Sequence, residues 1–267
     1  MPELLMSQQS LIRIGLFTLV LVIMAVWEIK RPKKTLSQPK PYRWANNLGL
    51  VFFNSFLLPF TLPILAVGFA YLVQNNHVGL FHWLNIPAWV NLVCGLLLLD
   101  MVIYWQHRLF HKIPLLWRLH RVHHADQDID VTTGSRFHFI EIWLSMLIKL
   151  ATIAALGISP LAVFVFEVIL NASAMFNHSN IALSQRMDDR LRKWIVTPDM
   201  HRVHHSIHRN ETDSNYGFCL SIWDRWFGSY ISQPKDGHEK MTIGINLFRS
   251  AKEQSLLKML SQPFRNK

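Results

Sequence analysis

Five apolar runs, at roughly residues 11–27, 48–73, 88–106, 142–157 and 160–177, leave this 267-residue chain little choice of fold. A membrane-spanning helix needs about 20 predominantly apolar residues, and the first three runs approach or exceed that length. The second is long enough to cross with tilt or to bend at Pro59 and Pro63. The last two are marginal, and Gly157-Ile158-Ser159-Pro160 between them reads as a hairpin turn. Their lengths allow a full crossing or a re-entrant pair. Charged residues make up only 16% of the chain, against about a quarter in a soluble domain. The expectation is an all-α polytopic membrane protein with four to five transmembrane helices and a cytoplasmic helical cap. The first run lacks a basic leader and a small-residue cleavage site and is followed by Lys30, Arg31, Lys33 and Lys34, so it reads as a retained span.

Basic residues set the expected orientation. The 28–47 connection carries Lys30, Arg31, Lys33, Lys34, Lys40 and Arg43, whereas 74–87 has neither Lys nor Arg. Arg108, Lys112, Arg118, Arg121 and Arg136 follow the third run. Five spans with the N-terminus outside satisfy every connection; four spans and an interfacial helix are the alternative. The net charge of +10 is then explained by membrane flanks facing anionic headgroups. No nucleic-acid partner is expected, because the aromatics lie in apolar runs and not among the Lys and Arg. Two cysteines, Cys94 and Cys219, make neither a disulfide framework nor a thiolate metal site.

Imidazoles carry the chemistry instead. His120-Arg121-Val122-His123-His124 recurs as His201-Arg202-Val203-His204-His205, about eighty residues on. His107 and His111 precede the first copy. Side chains three and four residues apart share a helix face, so each cluster projects together. Eight imidazoles exceed the needs of one ion and point to a site for two metals. Adjacent His123 and His124 diverge by about 100°, which suits one ligand for each metal. Thr197 as N-cap and Pro198 at the first helical position start a helix under the third cluster.

Around these lie candidates of a second rank. Asp100, Tyr104, His107 and His111 form one stripe on the third span. A carboxylate there is expensive without a partner, and a metal-bound histidine commonly hands its second nitrogen to one. Asp100 is therefore expected to face His107 or a neighbouring ligand. His178 closes the fifth run with Asn171 two turns earlier on its face. His138, three residues before Glu141, reads equally as ligand, ligand support or surface. His77, His82 and His238 read as surface, and His208 as a local hydrogen-bonding residue. The stretch from 249 reads as a solvated or membrane-surface tail.

From Leu97 to Tyr230, about half of the chain, these segments resemble the fatty acid hydroxylase / sterol desaturase superfamily of membrane di-iron enzymes. The resemblance rests on Asp100, Tyr104-Trp105, His107-Arg108 and His111, followed by Leu116-Trp117-Arg118, His120 and His123-His124. It continues through Arg136-Phe137-His138, His178-Ser179-Asn180, Thr197-Pro198, His201, His204-His205, Asn215-Tyr216-Gly217 and Trp223 to Gly228. It implies a di-metal centre ligated by His107, His111, His120, His123, His124, His178, His201, His204 and His205. His138, Asp100, Asn171 and Glu141 are further candidates as ligands or ligand supports. Two departures bear on the ligand count: Phe139 stands where the family often has Pro, and Ala174 where some members have another His. The implied organisation is an N-terminal span region over 1–96, a catalytic domain over 97–230 and a basic tail over 231–267.

The expected cofactors are two Fe ions, with zinc able to occupy the same ligands in purified protein, and O₂ as cosubstrate. The expected reaction is O₂-dependent hydroxylation or desaturation of a lipid, a fatty acyl, sterol-like or isoprenoid chain entering from the bilayer. Electrons would come from a separate partner, a cytochrome b5-like protein, a ferredoxin or a rubredoxin. The rivals are a zinc-dependent membrane lipid hydrolase, disfavoured because no His-Glu-x-x-His element occurs, and a non-enzymatic metal-binding membrane protein. A transport path would place polar ligands in mid-span, but these histidines cluster at span ends.

Overall fold

The computed structural model describes residues 8–62 and 64–266. Helices dominate, and among the described residues strand pairing is confined to three isolated bridges, Pro32–Ile181, Ile195–Leu220 and Ser206–Ile243. The N-terminal part runs α1 (Gln9–Lys30), α2 (Lys40–Thr61), α3 (Ala66–Asn75) and the single turn α4 (Leu80–Trp83). Then come α5 (Ala88–Lys112), α6 (Pro114–His124), α7 (Phe139–Leu156) and α8 (Pro160–Asn177). Five segments are long and apolar enough to cross a membrane: Gln9–Lys30, Lys40–Trp83, Ala88–Lys112, Phe139–Leu156 and Pro160–Asn177.

The second of these is broken. Pro59 lies inside α2, which stops at Thr61, and α3 resumes at Ala66; Pro63 lies outside the described residues. The first half of α2 is not in a loop, as its basic residues suggest, but packs into the cap. Arg43, expected as a loop cation, is buried and grips Asp126 through two nitrogens at 3.0 and 2.8 Å and also pairs with Asp130. A bidentate pair of this kind satisfies the buried charge and fixes α2 in angle as well as position.

The marginal pair runs the full length of the bundle. Gly157 ends α7 in the left-handed conformation (φ 73°), and Ser159 caps α8 by accepting Ala162 N–H at 3.3 Å. Asn91 near the start of α5 holds that turn from both sides, donating to Gly157 O at 2.9 Å and accepting Ser159 N–H at 2.8 Å. At the opposite end Asn177 donates to Phe218 O of the cap at 2.9 Å. Leu99, Ile103, Ile153, Ile158, Val163 and Phe166 fill the space between these helices. Leu19, Phe52, Phe56, Phe60, Val93 and Ile169 face outward as a lipid-compatible surface.

The remaining chain forms the cap, with α9 (Gln185–Leu191), α10 (Pro198–His204), α11 (Arg209–Thr212), α12 (Ile222–Trp226), α13 (Gly237–Lys240) and α14 (Leu256–Ser261). The stretch from 249, expected to be a solvated or membrane-surface tail, belongs to this cap. Met259 is buried with Leu50 of α2 and Val122 of α6. Gln254 donates to Ala125 O at 3.1 Å, and Arg118 donates to Pro263 O at 2.7 Å. Its apolar residues are few, but they meet a groove between α2 and α6 that the sequence pattern does not reveal.

Candidate metal centre

Nine histidines converge where α5, α6 and α8 meet α10 of the cap, and all nine are buried. They divide into two neighbouring groups. His107, His111, His120, His124 and His204 can each bring one nitrogen within 4.8 Å of the others, and so can His123, His178, His201 and His205. The adjacent pairs split as their angular divergence requires: His124 and His204 go to the first group, His123 and His205 to the second. The His124 and His205 rings stack 4.6 Å apart where the groups touch.

Local sequence places each cluster. Thr197 caps α10 by accepting Met200 N–H at 3.3 Å and donates to Asp188 at 2.5 Å, and Pro198 begins the helix. Pro114 begins α6 in the same way. Gly134 lets the 133–135 turn lie against the end of α8, since a Cβ there would stand 2.4 Å from Ala174 O. That contact seats His178.

Hydrogen bonds then fix the rings. His107, His178 and His204 donate from Nδ1 to the carbonyls of Tyr216, Ala174 and Ser214 at 2.8, 2.7 and 2.6 Å. His120 Nδ1 lies 2.6 Å from Glu141 Oε1. With Nδ1 committed as donor, Nε2 carries a lone pair directed inward. His107 Nε2 and His120 Nε2 face each other at 3.1 Å with no proton left to share. His178 Nε2 stands 3.1 Å from His123 Nε2 and 3.0 Å from His201 Nε2. Both ring nitrogens of His111, His124 and His205 lack hydrogen-bond partners despite burial. Clustered lone pairs and orphaned nitrogens are costly in a dry interior, and cations between the rings remove both penalties. The donor set therefore fits two imidazole-bound metal ions.

Electrostatics keep the rings in the form a metal needs. Burial pushes His120 and His178 down to about 3. Burial, and after it neighbouring imidazoles, hold His123, His124, His201, His204 and His205 well below the usual histidine range. All remain neutral near pH 7.

Of the second-rank residues, Glu141 supports a ligand ring, as its candidacy allows, and Asp100 is placed otherwise than its sequence suggests. Asp100 touches no histidine: it accepts Cys219 N–H, Leu220 N–H and Trp223 Nε1–H at 3.2, 3.1 and 2.8 Å, and so ties α5 to the cap. Within the nine, Glu141 is the carboxylate that hydrogen-bonds a ring, and Asp213 Oδ1 stands 3.4 Å from His111 Nδ1. His138 stands outside both groups as the N-cap of α7, accepting Ile140 N–H at 3.2 Å, with Nε2 3.2 Å from Leu260 O. Asn171 lines a cavity beside the site. His208 pairs with Asp236 at 2.7 Å. His77 and His82 pack edge to face near the α7–α8 turn. The carbonyls of Tyr216 and Ser214 escaped sequence reasoning because a main-chain acceptor leaves no mark on residue type.

A cavity of about 490 Å³ adjoins the first group, with His107, His120 and Glu141 in its wall. Phe110, Phe137 and Phe218 border it on the histidine side, and Phe137 stacks on His123 with ring centroids 4.5 Å apart. From there it extends between α1, α2, α7 and α8 to Arg13, Lys149 and Glu167.

Comparison with known proteins finds a family over the histidine-bearing region. Residues 92–229 match the family model described as fatty acid hydroxylase. The chain is 30% identical over 209 residues to the ornithine lipid hydroxylase OlsE of Rhizobium tropici, covering 78% of this chain and 60% of that protein. It is 27% identical over 202 residues to the alkylglycerol monooxygenase of Homo sapiens, covering 73% and 42% of the two chains. Identity is also 27% over 198 residues with the cholesterol 25-hydroxylase of Mus musculus, covering 65% and 62%. The match thus spans less than two thirds of each of these relatives. No solved structure gives a significant match.

Proposed function

This chain belongs to the fatty acid hydroxylase family, and from that premise we propose that it is an integral membrane oxygenase hydroxylating a lipid chain at a di-iron centre. The observation that carries the reading is the pair of buried histidine groups, with facing lone pairs, beside an elongated cavity among the span helices. The relatives named for ornithine lipid, alkylglycerol and cholesterol oxidation support a lipid substrate. His107, His111, His120, His124 and His204 would hold one ion, and His123, His178, His201 and His205 the other. Two irons bound there would supply the reduction of O₂ and the abstraction of hydrogen from an unactivated C–H bond.

The protein's own share is positioning and exclusion of water. Glu141 and three backbone carbonyls hold four imidazoles with Nε2 inward, so no ring must turn to accept an ion. Phe110, Phe137 and Phe218 border the substrate side and keep it apolar. In the overall balance, one C–H, one O₂, two electrons and two protons become one C–OH and one water. The electrons require a separate carrier, a cytochrome b5-like protein, ferredoxin or rubredoxin. Exposed Arg186, Arg190 and Lys193 on the cap would attract an acidic one. The basic 28–47 segment and the cap lie at the histidine end of the bundle, which we assign to the cytoplasmic side with the N-terminus outside. We assign catalysis to residues 97–230, with 1–96 supplying span helices and 231–267 closing the cap.

The test is metal analysis of purified protein together with lipid product analysis. Iron in both groups, lost together with hydroxylated lipid in His123→Ala/His204→Ala, is the expected result. Folded protein that retains no stoichiometric metal under iron-replete expression would refute the reading.

A further inference from the structure

Glu167 and Lys149 meet inside the span bundle, away from the histidines, and Arg13, with about a third of its side chain exposed, reaches them from the first turns of α1. Glu167 of α8 is buried, with Oε2 2.8 Å from Arg13 Nη1 of α1 and Oε1 2.7 Å from Lys149 Nζ of α7. Lys149 and Glu167 each stand eight residues from the α7–α8 turn, about 12 Å into the bundle at 1.5 Å per residue. Charges at such depth are costly and commonly mark a ligand or ion path. One carboxylate between two cations leaves one positive charge uncompensated. Among the described residues no second acidic group comes within ion-pair reach of Arg13 or Lys149.

All three side chains line the cavity that reaches His107 and His120. Phe17, Leu58, Met146 and Leu170 line it as well, so its wall combines apolar residues with a cationic end. Along α8, Glu167 lies eleven residues before His178, or about 16 Å. We infer that the Arg13–Glu167–Lys149 cluster is a head-group subsite, which takes the carboxylate of a single-chain acyl lipid and lays the chain toward the histidines. The inference rests on the lipid oxygenation proposed above.

Charge and volume select this class of ligand. The surplus is a single positive charge, which suits a carboxylate better than a phosphate monoester with its charge of about −1.5 to −2. If a methylene takes roughly the ~30 Å³ that a water occupies in the liquid, a sixteen-carbon chain fills roughly 480 Å³. A single chain of that length matches the cavity of about 490 Å³. With bonds of about 1.5 Å, an extended chain advances roughly 1.3 Å per carbon, so about a dozen carbons separate the carboxylate from the oxidised position. The carboxylate could belong to a free fatty acid or to an N-acylated amino acid.

The experiment measures equilibrium binding of radiolabelled palmitate, N-palmitoylglycine and hexadecanol to metal-loaded protein in phosphatidylcholine nanodiscs. Palmitate, N-palmitoylglycine or both should bind at least about tenfold more tightly than hexadecanol, and the tighter of the two acids identifies the source. Lys149→Met and Arg13→Gln should reduce the acids to the level of the alcohol without changing alcohol binding, while Arg13→Lys retains the preference. Equal affinity for acids and alcohol, or a loss common to all three ligands in the variants, overturns the subsite. Product mapping adds a second check: a clamped carboxylate moves the hydroxyl about three positions closer to the acyl carbonyl in N-palmitoylglycine than in palmitate. An unchanged acyl position overturns the clamp. Acids that bind selectively but are never oxidised would refute the oxygenase reading and leave the subsite standing.

Discussion

Glu141 Oε1 lies 2.6 Å from His120 Nδ1, reaching across from the first turn of α7 to α6. The pair ties the apolar wall of the cavity to the first histidine group, because Glu141 and His120 both line that cavity. A carboxylate behind an imidazole fixes its tautomer and raises its basicity. Glu141→Ala should weaken metal retention about 10- to 100-fold, and Glu141→Gln should fall between it and wild type. Chelator competition on the purified proteins gives the comparison. Unchanged retention in Glu141→Ala would show that packing alone positions His120.

Neighbouring histidines should have separable effects. His124 belongs to the first group and His123 to the second. His124→Ala and His123→Ala should each lose one of two ions, and not the same one. Mössbauer spectra of iron-57 protein would show different components missing. Loss of the same component in both would contradict the division into two groups.

His138 serves as a cap. Its ring accepts Ile140 N–H at the start of α7 and lies outside both groups. His138→Ala should cost about 1 kcal/mol of stability, as loss of an N-cap does, with full metal content. His138→Asn should restore much of the stability. Metal loss in a folded His138→Ala protein would instead make this residue a ligand.

Gly134 admits no side chain. A Cβ there would lie 2.4 Å from Ala174 O and 3.2 Å from His178 Nδ1. Gly134→Ala should cost about 1–3 kcal/mol by overpacking and lower occupancy of the second group, which contains His178, more than the first. Thermal melting and metal content per chain measure the two effects.

Acid should release the metals and destabilise the fold in one pH window. His120 and His178 are held at about 3 in the folded chain, against about 6.5 when unfolded. Between these values the unfolded chain binds more protons, so stability rises with pH across the window. The fold is unpenalised above about 6.5 and loses stability as the pH falls toward 3. Unfolding midpoints of metal-free protein should be level from pH 7.5 to about 6.5 and fall from there to pH 4.5. A flat profile would mean that these rings are solvated.

What residue order determines here is local. Run length and hydropathy specify five apolar segments as candidate spans, and the three- and four-residue spacing of histidines specifies which rings share a face. Thr197-Pro198 and Gly157-Ile158-Ser159-Pro160 specify where helices begin and turn. Each follows from contacts within a few residues, which periodicity records. Partner choice between distant segments leaves no such record. Asp100 and Glu141 are both carboxylates on span helices, yet only the packing of α7 against α6 gives His120 to Glu141, while the cap loop takes Asp100. Arg43 looks like a loop cation until Asp126 and Asp130 enclose it. The sorting of nine histidines into two groups, and the cavity joining them to Arg13, Lys149 and Glu167, likewise arise from long-range packing, whose contacts are set by three-dimensional shape and not by sequence spacing.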